Sequence, residues 1–208
     1  MSNANRKNQW FTAWPGYIKI LLAVLLIIQF AGRAIAVEEM EVPVEIQIPL
    51  FLKILTYDRN LKERVGDEIV MGIVYQEKFR KSLNVKTQLE KYLENSKERQ
   101  IDDVPFRYVL INLSSLSMFK AILEKEKVDI VYIAPLRAVA VDALAADCRA
   151  LGITSLTGVP AYCESGIAIG ISSKGESPKI IINLTGARSE GADFSSQLLK
   201  LAKVIIKK

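Results

Sequence analysis

Short apolar runs alternate with segments of helical spacing along the chain from residue 44 onward. Compact runs of β-branched and other apolar residues are typical of buried strands, whereas apolar residues recurring every three to four positions indicate helices. The runs that predict strands are 68–75, 106–112, 129–134, 153–157, 167–172 and 179–184. The segments that predict helices are 44–57, 80–97, one that begins at Ser114, 136–151, and one that Asp193 opens and that continues to residue 205.

Strands that alternate with helices predict an α/β fold. We expect a single compact domain whose mostly parallel sheet is covered by helices on both faces. Residues 174–178 (KGESP) contain Gly and Pro and predict a turn, so the last two strands should form an antiparallel hairpin at the edge of the sheet. The short helix at the C-terminus completes this fold.

The first 36 residues have the features of a signal peptide. Basic residues precede an unbroken apolar run at 20–28, which is shorter than a membrane-spanning helix requires. Ala34 and Ala36 place small residues at the two positions that a signal peptidase recognises. We therefore predict a signal peptide at 1–36, an α/β domain at 37–208 and a periplasmic location. An uncleaved N-terminal anchor is the alternative.

The charge of the predicted exported part is nearly balanced. The whole chain has 28 Lys and Arg residues and 23 Asp and Glu residues. Four basic residues and no acidic residue lie in 1–36, so 37–208 keeps 24 basic and 23 acidic residues, a net charge of +1. A domain that binds nucleic acid needs a basic surface of its own. We therefore expect no nucleic-acid partner.

Side chains suited to catalysis are scarce. The sequence contains no His, which is the most frequent general base near neutral pH and the most frequent metal ligand. Ser117 and Lys120 match the Ser-x-x-Lys pattern of penicillin-recognising enzymes, but the companion motifs of those enzymes are missing. The two residues between them have the character of core contacts on an amphipathic helix. We therefore predict a protein that is not an enzyme and that holds no metal and no cofactor.

Binding at the ends of the strands is a better prospect. Ligands of open α/β sheets collect beyond the carboxyl ends of the strands. Five side chains follow predicted strands, and we expect them to contact a ligand or a partner protein. They are Gln76, Asn112, Arg137, Tyr162 and Glu164. Arg137 is also predicted at the start of a helix, where the helix dipole and the guanidinium fork both favour a carboxylate or a phosphate. An ordinary surface position is the alternative for Arg137.

Cys148 and Cys163 both lie in the part that is predicted to be exported, where a disulfide can persist. A bridge requires Cα atoms within about 7 Å of each other. Cys148 comes near the end of a predicted helix and Cys163 follows the next strand, which in a βαβ arrangement places them apart. The sequence leaves two alternatives open, a Cys148–Cys163 bridge or two buried free thiols.

The predicted terminal helix is apolar over much of its circumference. Phe194, Leu198, Leu201 and Ile205 form one stripe at helical spacing. A helix of this kind is either buried in its own core or partly covered by another protein.

Three segments of the chain resemble the YfiR-like family. They are residues 51–57 (FLKILTY), residues 129–133 (DIVYI) and the closing segment 180–205, in which a strand ending in Asn-Leu is followed by Gly and by SSQLLKLA. The resemblance extends more weakly over about 44–205.

The resemblance implies a small exported regulator without catalytic activity, which binds and restrains a membrane signalling protein through the part of that protein that faces the envelope. The partner is typically a diguanylate cyclase of cyclic di-GMP signalling, with a sensor kinase as the second partner class. A small molecule can relieve the restraint, and self-association is compatible with it. The competing hypothesis is a small periplasmic solute-binding or ligand-sensing protein, although the 172 residues of 37–208 are few for its usual two lobes.

Overall fold

The computed structural model describes residues 40–96, 100–175 and 177–206, so the predicted signal peptide and its cleavage site at Ala34 and Ala36 lie outside the described residues. The helices in the described ranges are α1 (Val44–Leu55), α2 (Leu61–Arg64), α3 (Arg80–Asn95), α4 (Leu116–Glu126), α5 (Val141–Leu151), α6 (Pro160–Glu164), α7 (Leu184–Ser189) and α8 (Ser196–Leu201). The strands are β1 (Ile69–Tyr75), β2 (Gln100–Ile101), β3 (Val104–Asn112), β4 (Ile130–Ile133), β5 (Thr154–Thr157), β6 (Ile169–Lys174), β7 (Ser177–Asn183) and β8 (Lys203–Ile205).

The strands form one sheet in the order β2-β3-β1-β4-β5-β6-β7-β8. The five strands from β3 to β6 in this order are parallel, and Ile73 at the centre of β1 lies between Leu110 of β3 and Tyr132 of β4. β2 runs antiparallel to β3 and β7 runs antiparallel to β6, whereas β8 is parallel to β7. The prediction of an α/β fold with a mostly parallel sheet and a C-terminal hairpin is confirmed.

Apolar side chains fill a layer on each face of the sheet. In β1, Ile69, Met71 and Ile73 point into the layer under α1 and α3, while Val70 and Val74 point into the layer under α4 and α5. Successive strand residues face opposite sides, and here both sides are covered, so the strand is apolar at nearly every position. The prediction of helices on both faces is confirmed.

The C-terminal region departs from the prediction of one helix from Asp193 to residue 205. Helix α8 begins only after Ser195, whose hydroxyl accepts a hydrogen bond from the Leu198 N–H at 3.4 Å. The helix ends where Ala202 becomes extended, and the next three residues pair with β7 as β8. β8, and not the predicted hairpin, is therefore the last strand at this end of the sheet.

The predicted apolar stripe is divided by this change of structure. Phe194 and Leu198 are buried in the core, but Leu201 is 72% exposed and Ile205 belongs to β8. The prediction that these four residues form one helical stripe is wrong because strand pairing with β7 begins before the helix can continue.

Candidate functional site

A cleft lies beyond the carboxyl ends of β1, β3 and β4, and we call it the strand-end cleft. The connections that leave the neighbouring strands β1 and β4 lead to helices on opposite faces of the sheet, α3 and α5. Such a divergence opens a crevice where α/β proteins bind ligands. The strand-end cleft has a volume of about 340 Å³ and is lined by residues 76–79, 112–114 and 137–138.

Gln76 and Arg137 join the two sides of the strand-end cleft. The side-chain oxygen of Gln76 accepts a hydrogen bond from the Arg137 N–H at 2.7 Å, and its amide nitrogen donates one to the Arg137 carbonyl at 3.2 Å. The Gln76 N–H in turn donates to the Ser82 hydroxyl on α3 at 2.9 Å. The backbone on both sides is thus fixed, while Arg137 itself is exposed.

Asn112 and Glu77 form the third side of the strand-end cleft. The Asn112 side-chain oxygen accepts a hydrogen bond from the Glu77 N–H at 3.3 Å, and the Asn112 amide donates to the Glu77 carboxylate at 3.1 Å. The structure therefore brings three of the five predicted residues, Gln76, Asn112 and Arg137, into one place.

The other two predicted residues lie elsewhere. Tyr162 is buried, and its hydroxyl accepts a hydrogen bond from the Leu136 N–H at 2.8 Å and donates to the Leu136 carbonyl at 3.3 Å. Tyr162 therefore supports the loop that carries Arg137 and does not line the cleft. Glu164 is exposed at the end of α6 and lines other grooves.

The prediction that Arg137 opens a helix is wrong. Helix α5 begins at Val141, because the N–H groups of Leu136 and Arg137 are engaged by side chains and Ala138 has a φ of 55°. A left-handed residue interrupts a right-handed helix. The dipole of α5 therefore gives no help to an anion at Arg137.

The sequence analysis missed a buried carboxyl group at the amino edge of the parallel strands. Glu190, which follows α7, is fully buried, and its carboxylate accepts hydrogen bonds from the N–H and the hydroxyl of Ser155 at 2.9 and 2.6 Å. Burial raises the pKa of Glu190 to about 8, against the lowering effects of Ser155, Arg149 and Arg64. A Glu beside a Gly looks like an exposed turn residue, so no local signal could have found it.

A second buried acidic side chain, Asp58, ties the end of α1 to distant parts of the chain. The Asp58 carboxylate pairs with Arg64 at 2.6 Å and accepts hydrogen bonds from the N–H groups of Asn60 and Asp193 at 3.1 and 2.9 Å. Arg64 also donates to the Thr154 hydroxyl at 3.0 Å. Because each oxygen of Asp58 has a partner, this network serves the framework of the fold.

Cys148 and Cys163 are free thiols in the structure, and both are buried. Burial is the main cause that raises the pKa of Cys163 to about 12 and the pKa of Cys148 well above its usual value. Thiols in this state are protonated at neutral pH and are poor nucleophiles. Cys163 instead fills space, because its sulfur occupies the position that a Cβ at Gly170 would need.

The described ranges contain neither a candidate metal site nor a candidate membrane span. Residues 40–96, 100–175 and 177–206 contain no group of three or more His, Cys, Asp or Glu side chains that could hold a metal ion. Over the same residues, no helix combines the length and the apolar character that crossing a membrane requires.

The chain matches the model of a known protein family. A family model described as YfiR/HmsC-like matches residues 51–203. None of the curated proteins compared with the chain matches it significantly.

Comparison with solved structures gave likenesses in fold. A conserved domain protein from Vibrio cholerae O1 biovar El Tor has 15% identity and a TM-score of 0.54, over 79% of this chain and 60% of that chain. An ABC domain in complex with L-Trp from Streptococcus pneumoniae has 13% identity and a TM-score of 0.53, over 75% and 61%. A ligand-free, open substrate-binding protein with adhesive properties from Clostridium difficile has 14% identity and a TM-score of 0.52, over 72% and 58%. The chain thus spans about three fifths of the length of each of them.

Proposed function

This chain belongs to the YfiR/HmsC-like family, and we propose that it is an exported regulator without catalytic activity that binds and restrains a membrane signalling protein. The observation that carries the proposal is the match of the family model over residues 51–203, which includes β1 to β7 in full and the first residue of β8. The partner that we propose is a diguanylate cyclase or a sensor kinase with an envelope-facing domain. The proposal includes removal of residues 1–36 during export to the periplasm.

The mechanism that we propose is stoichiometric. The domain binds one of two conformations of the partner's envelope-facing part and so raises the population of that conformation. Differential affinity is sufficient for this effect, and on the order of 5 kcal/mol moves a two-state equilibrium almost completely. No bond needs to be made or broken.

The outer edge of β8 is the docking surface that we propose. Within the described ranges no strand pairs with this edge, so its N–H and C=O groups are open to a further strand. Leu201 and Ile206 on either side of β8 are 72% and 70% exposed, and Val204 is 36% exposed. Lys200 and Lys203 are exposed beside them. This combination suits an extended segment of the partner that carries apolar and acidic side chains.

Site-specific crosslinking in cells tests the proposal. A photoreactive side chain at position 201 should capture a membrane signalling protein, which mass spectrometry of the adduct identifies. Met118 supplies the matched control, because it is also apolar and is 56% exposed, but it lies on α4, far along the chain from β8. A signalling protein captured from position 201 and not from position 118 supports the proposal. Capture of copies of this chain alone, or equal capture from both positions, contradicts it.

A small solute-binding or ligand-sensing protein is the second candidate function. The specific observation that favours it is the strand-end cleft at the divergence of β1 and β4, together with the likeness in fold to proteins described as binding L-Trp or a substrate. A ligand that binds only the native state raises the apparent stability of the isolated protein. A rise in melting temperature with a small molecule and no protein partner, abolished by Gln76→Ala, would favour this candidate.

A further inference from the structure

A second groove lies at the amino edge of the parallel strands, at the opposite edge from the strand-end cleft. It forms between the last turn of α5, the turn that follows α6, and α7, and it has a volume of about 270 Å³. We call it the α5–α7 groove. Gly166 and Gly186 bring its walls together, since a Cβ at Gly186 would lie 2.7 Å from the Gly166 carbonyl oxygen. Its polar side chains include Arg149, Ser165 and Ser189.

Arg149 lies against Gly166 in the α5–α7 groove. A Cβ at Gly166 would lie 2.9 Å from a terminal nitrogen of the guanidinium and 3.1 Å from the Ala145 Cβ, so the arginine lies directly against this glycine. Ala145 and Cys148 on the same helix are fully buried and anchor α5. The backbone that carries Arg149 is therefore fixed, and its side chain lies in the wall of the groove.

The positive charge of Arg149 is not compensated by an ion pair. In the part of the chain that the structure describes, its guanidinium makes no hydrogen bond and no salt bridge, although the residue is half-buried. Glu190 is near enough for its titration to depend on Arg149, but burial raises the pKa of Glu190 to about 8. Glu190 is thus mostly protonated at pH 7 and does not neutralise the arginine.

We propose that the α5–α7 groove binds the carboxylate group of a small monoanionic ligand, with Arg149 as the side chain that recognises it. The planar guanidinium fork matches the two oxygens of a carboxylate. The hydroxyls of Ser165 and Ser189, which line the same groove, are additional donors. Glu164 also lines the groove and repels a second negative charge, which favours a monocarboxylate over a phosphate dianion.

The ligand must be small. Pockets that bind drug-sized molecules have volumes of about 300 Å³ and more, and the α5–α7 groove lies just below this range. The site goes beyond the proposed function and does not depend on the identity or existence of a signalling partner. A test on the purified protein therefore distinguishes a failure of this inference from a failure of the regulatory proposal.

Titration of the purified protein with sodium propionate tests the inference. Amide signals are followed by heteronuclear NMR at constant ionic strength, with sodium chloride as the reference salt and phosphate as the competing anion. Saturable shifts are expected at Ser165, Gly166 and Gly186. Shifts that grow linearly with concentration, or saturation by phosphate but not by propionate, would overturn the inference.

Substitutions in the groove sharpen the test. Arg149→Gln should weaken propionate binding by about tenfold or more, because hydrogen bonds to a charged group contribute about 1.5–3 kcal/mol. Arg188→Gln removes an equal charge from an exposed position of α7 outside the groove and should leave the affinity unchanged. Glu164→Gln should tighten binding several-fold, since it removes a like charge.

Glu164→Gln keeps the inference testable if Arg149→Gln fails to fold. This substitution changes an exposed side chain, and the inference predicts that it raises the affinity for propionate. Equal losses with Arg149→Gln and Arg188→Gln would show a general charge effect and would refute the site. An unchanged affinity in Glu164→Gln would also count against it.

Discussion

The hydroxyl of Ser155 donates a hydrogen bond to the carboxylate of Glu190 at 2.6 Å and accepts one from the Ala168 N–H at 2.9 Å. The Ser155 N–H donates to the other carboxylate oxygen at 2.9 Å. One buried carboxyl group thereby joins the end of α7 to β5 and, through the serine, to the start of β6. Its protonation state is therefore linked to the stability of this half of the sheet.

Stability should fall as the pH rises from about 4.5 to about 8. The pKa of Glu190 is raised from 4.5 to about 8 in the folded protein, so the native state holds a proton that the unfolded state releases. The contribution is fully present below pH 4.5 and is lost as the pH rises through about 8, to an extent on the order of 5 kcal/mol at most. Urea unfolding at pH 5 and at pH 8 measures this loss.

Glu190→Gln is the control for this pH dependence, because the amide keeps the shape and cannot titrate. The groups around Glu190 that carry charge or titrate are Arg64, Arg149, Cys148 and Cys163. Burial raises the pKa of both thiols, so they stay protonated over this range. The variant should therefore lose most of the slope between pH 5 and pH 8, and a slope equal to that of the parent protein would refute the assignment.

Tyr162→Phe should destabilise the protein by about 1–3 kcal/mol, because it leaves the N–H and the carbonyl of Leu136 without their hydroxyl partner. Tyr57→Phe removes a hydroxyl from a half-buried tyrosine and should change stability by less than about 0.5 kcal/mol. Urea unfolding of both variants measures the difference. Equal effects would mean that the Tyr162 hydroxyl has no special role in fixing the loop that carries Arg137.

Gly170→Ala should destabilise the protein by about 1–3 kcal/mol, since the new methyl group would overlap the sulfur of Cys163. Cys163→Ala removes that sulfur, so the double variant should be more stable than the sum of the two single effects predicts. Gly66→Ala is a matched control, because nothing lies within 4 Å of the added Cβ. Strict additivity in the cycle would contradict the proposed contact.

Alkylation should distinguish the two alternatives for the cysteines. With free buried thiols, iodoacetamide should label neither Cys148 nor Cys163 in the native protein, because burial raises the pKa of both. After unfolding without a reductant, mass spectrometry should find two labels. Labelling that appears only after reduction would instead indicate a bridge between Cys148 and Cys163.

Most of the sheet could be predicted because its strands carry their own signal. The run from Ile69 to Tyr75 is apolar at nearly every position, and a strand covered on both faces requires this pattern. The side chains at the strand ends could also be placed together, since parallel strands end at one edge. This reasoning brought Gln76, Asn112 and Arg137 into one cleft.

The predictions of secondary structure were wrong where contacts between distant parts of the chain override the local sequence pattern. Leu201 and Ile205 continue a helical spacing, but pairing with β7 extends the chain from Ala202 onward. Arg137 stands where a helix could begin, but the N–H groups of the loop donate hydrogen bonds to Gln76 and Tyr162, which hold the loop in another form. Partners so far apart in the sequence leave no periodic signal.

The isolated antiparallel β-bridge between Asp58 and Phe194 affects the order in which parts of the chain can fold. The Arg59 N–H donates to the Asp193 carbonyl, and the Ser195 N–H donates to the Tyr57 carbonyl, both at 3.0 Å. Closing the loop between these two distant segments comes late in folding, because the chain loses conformational entropy before the new contacts contribute stability. A chain that crosses a membrane from its N-terminus would deliver α1 well before residues 193–195, which complete the exit turn of this helix. Until then Asp58 lacks the hydrogen bond from Asp193, which leaves the end of α1 as a site for a chaperone to bind.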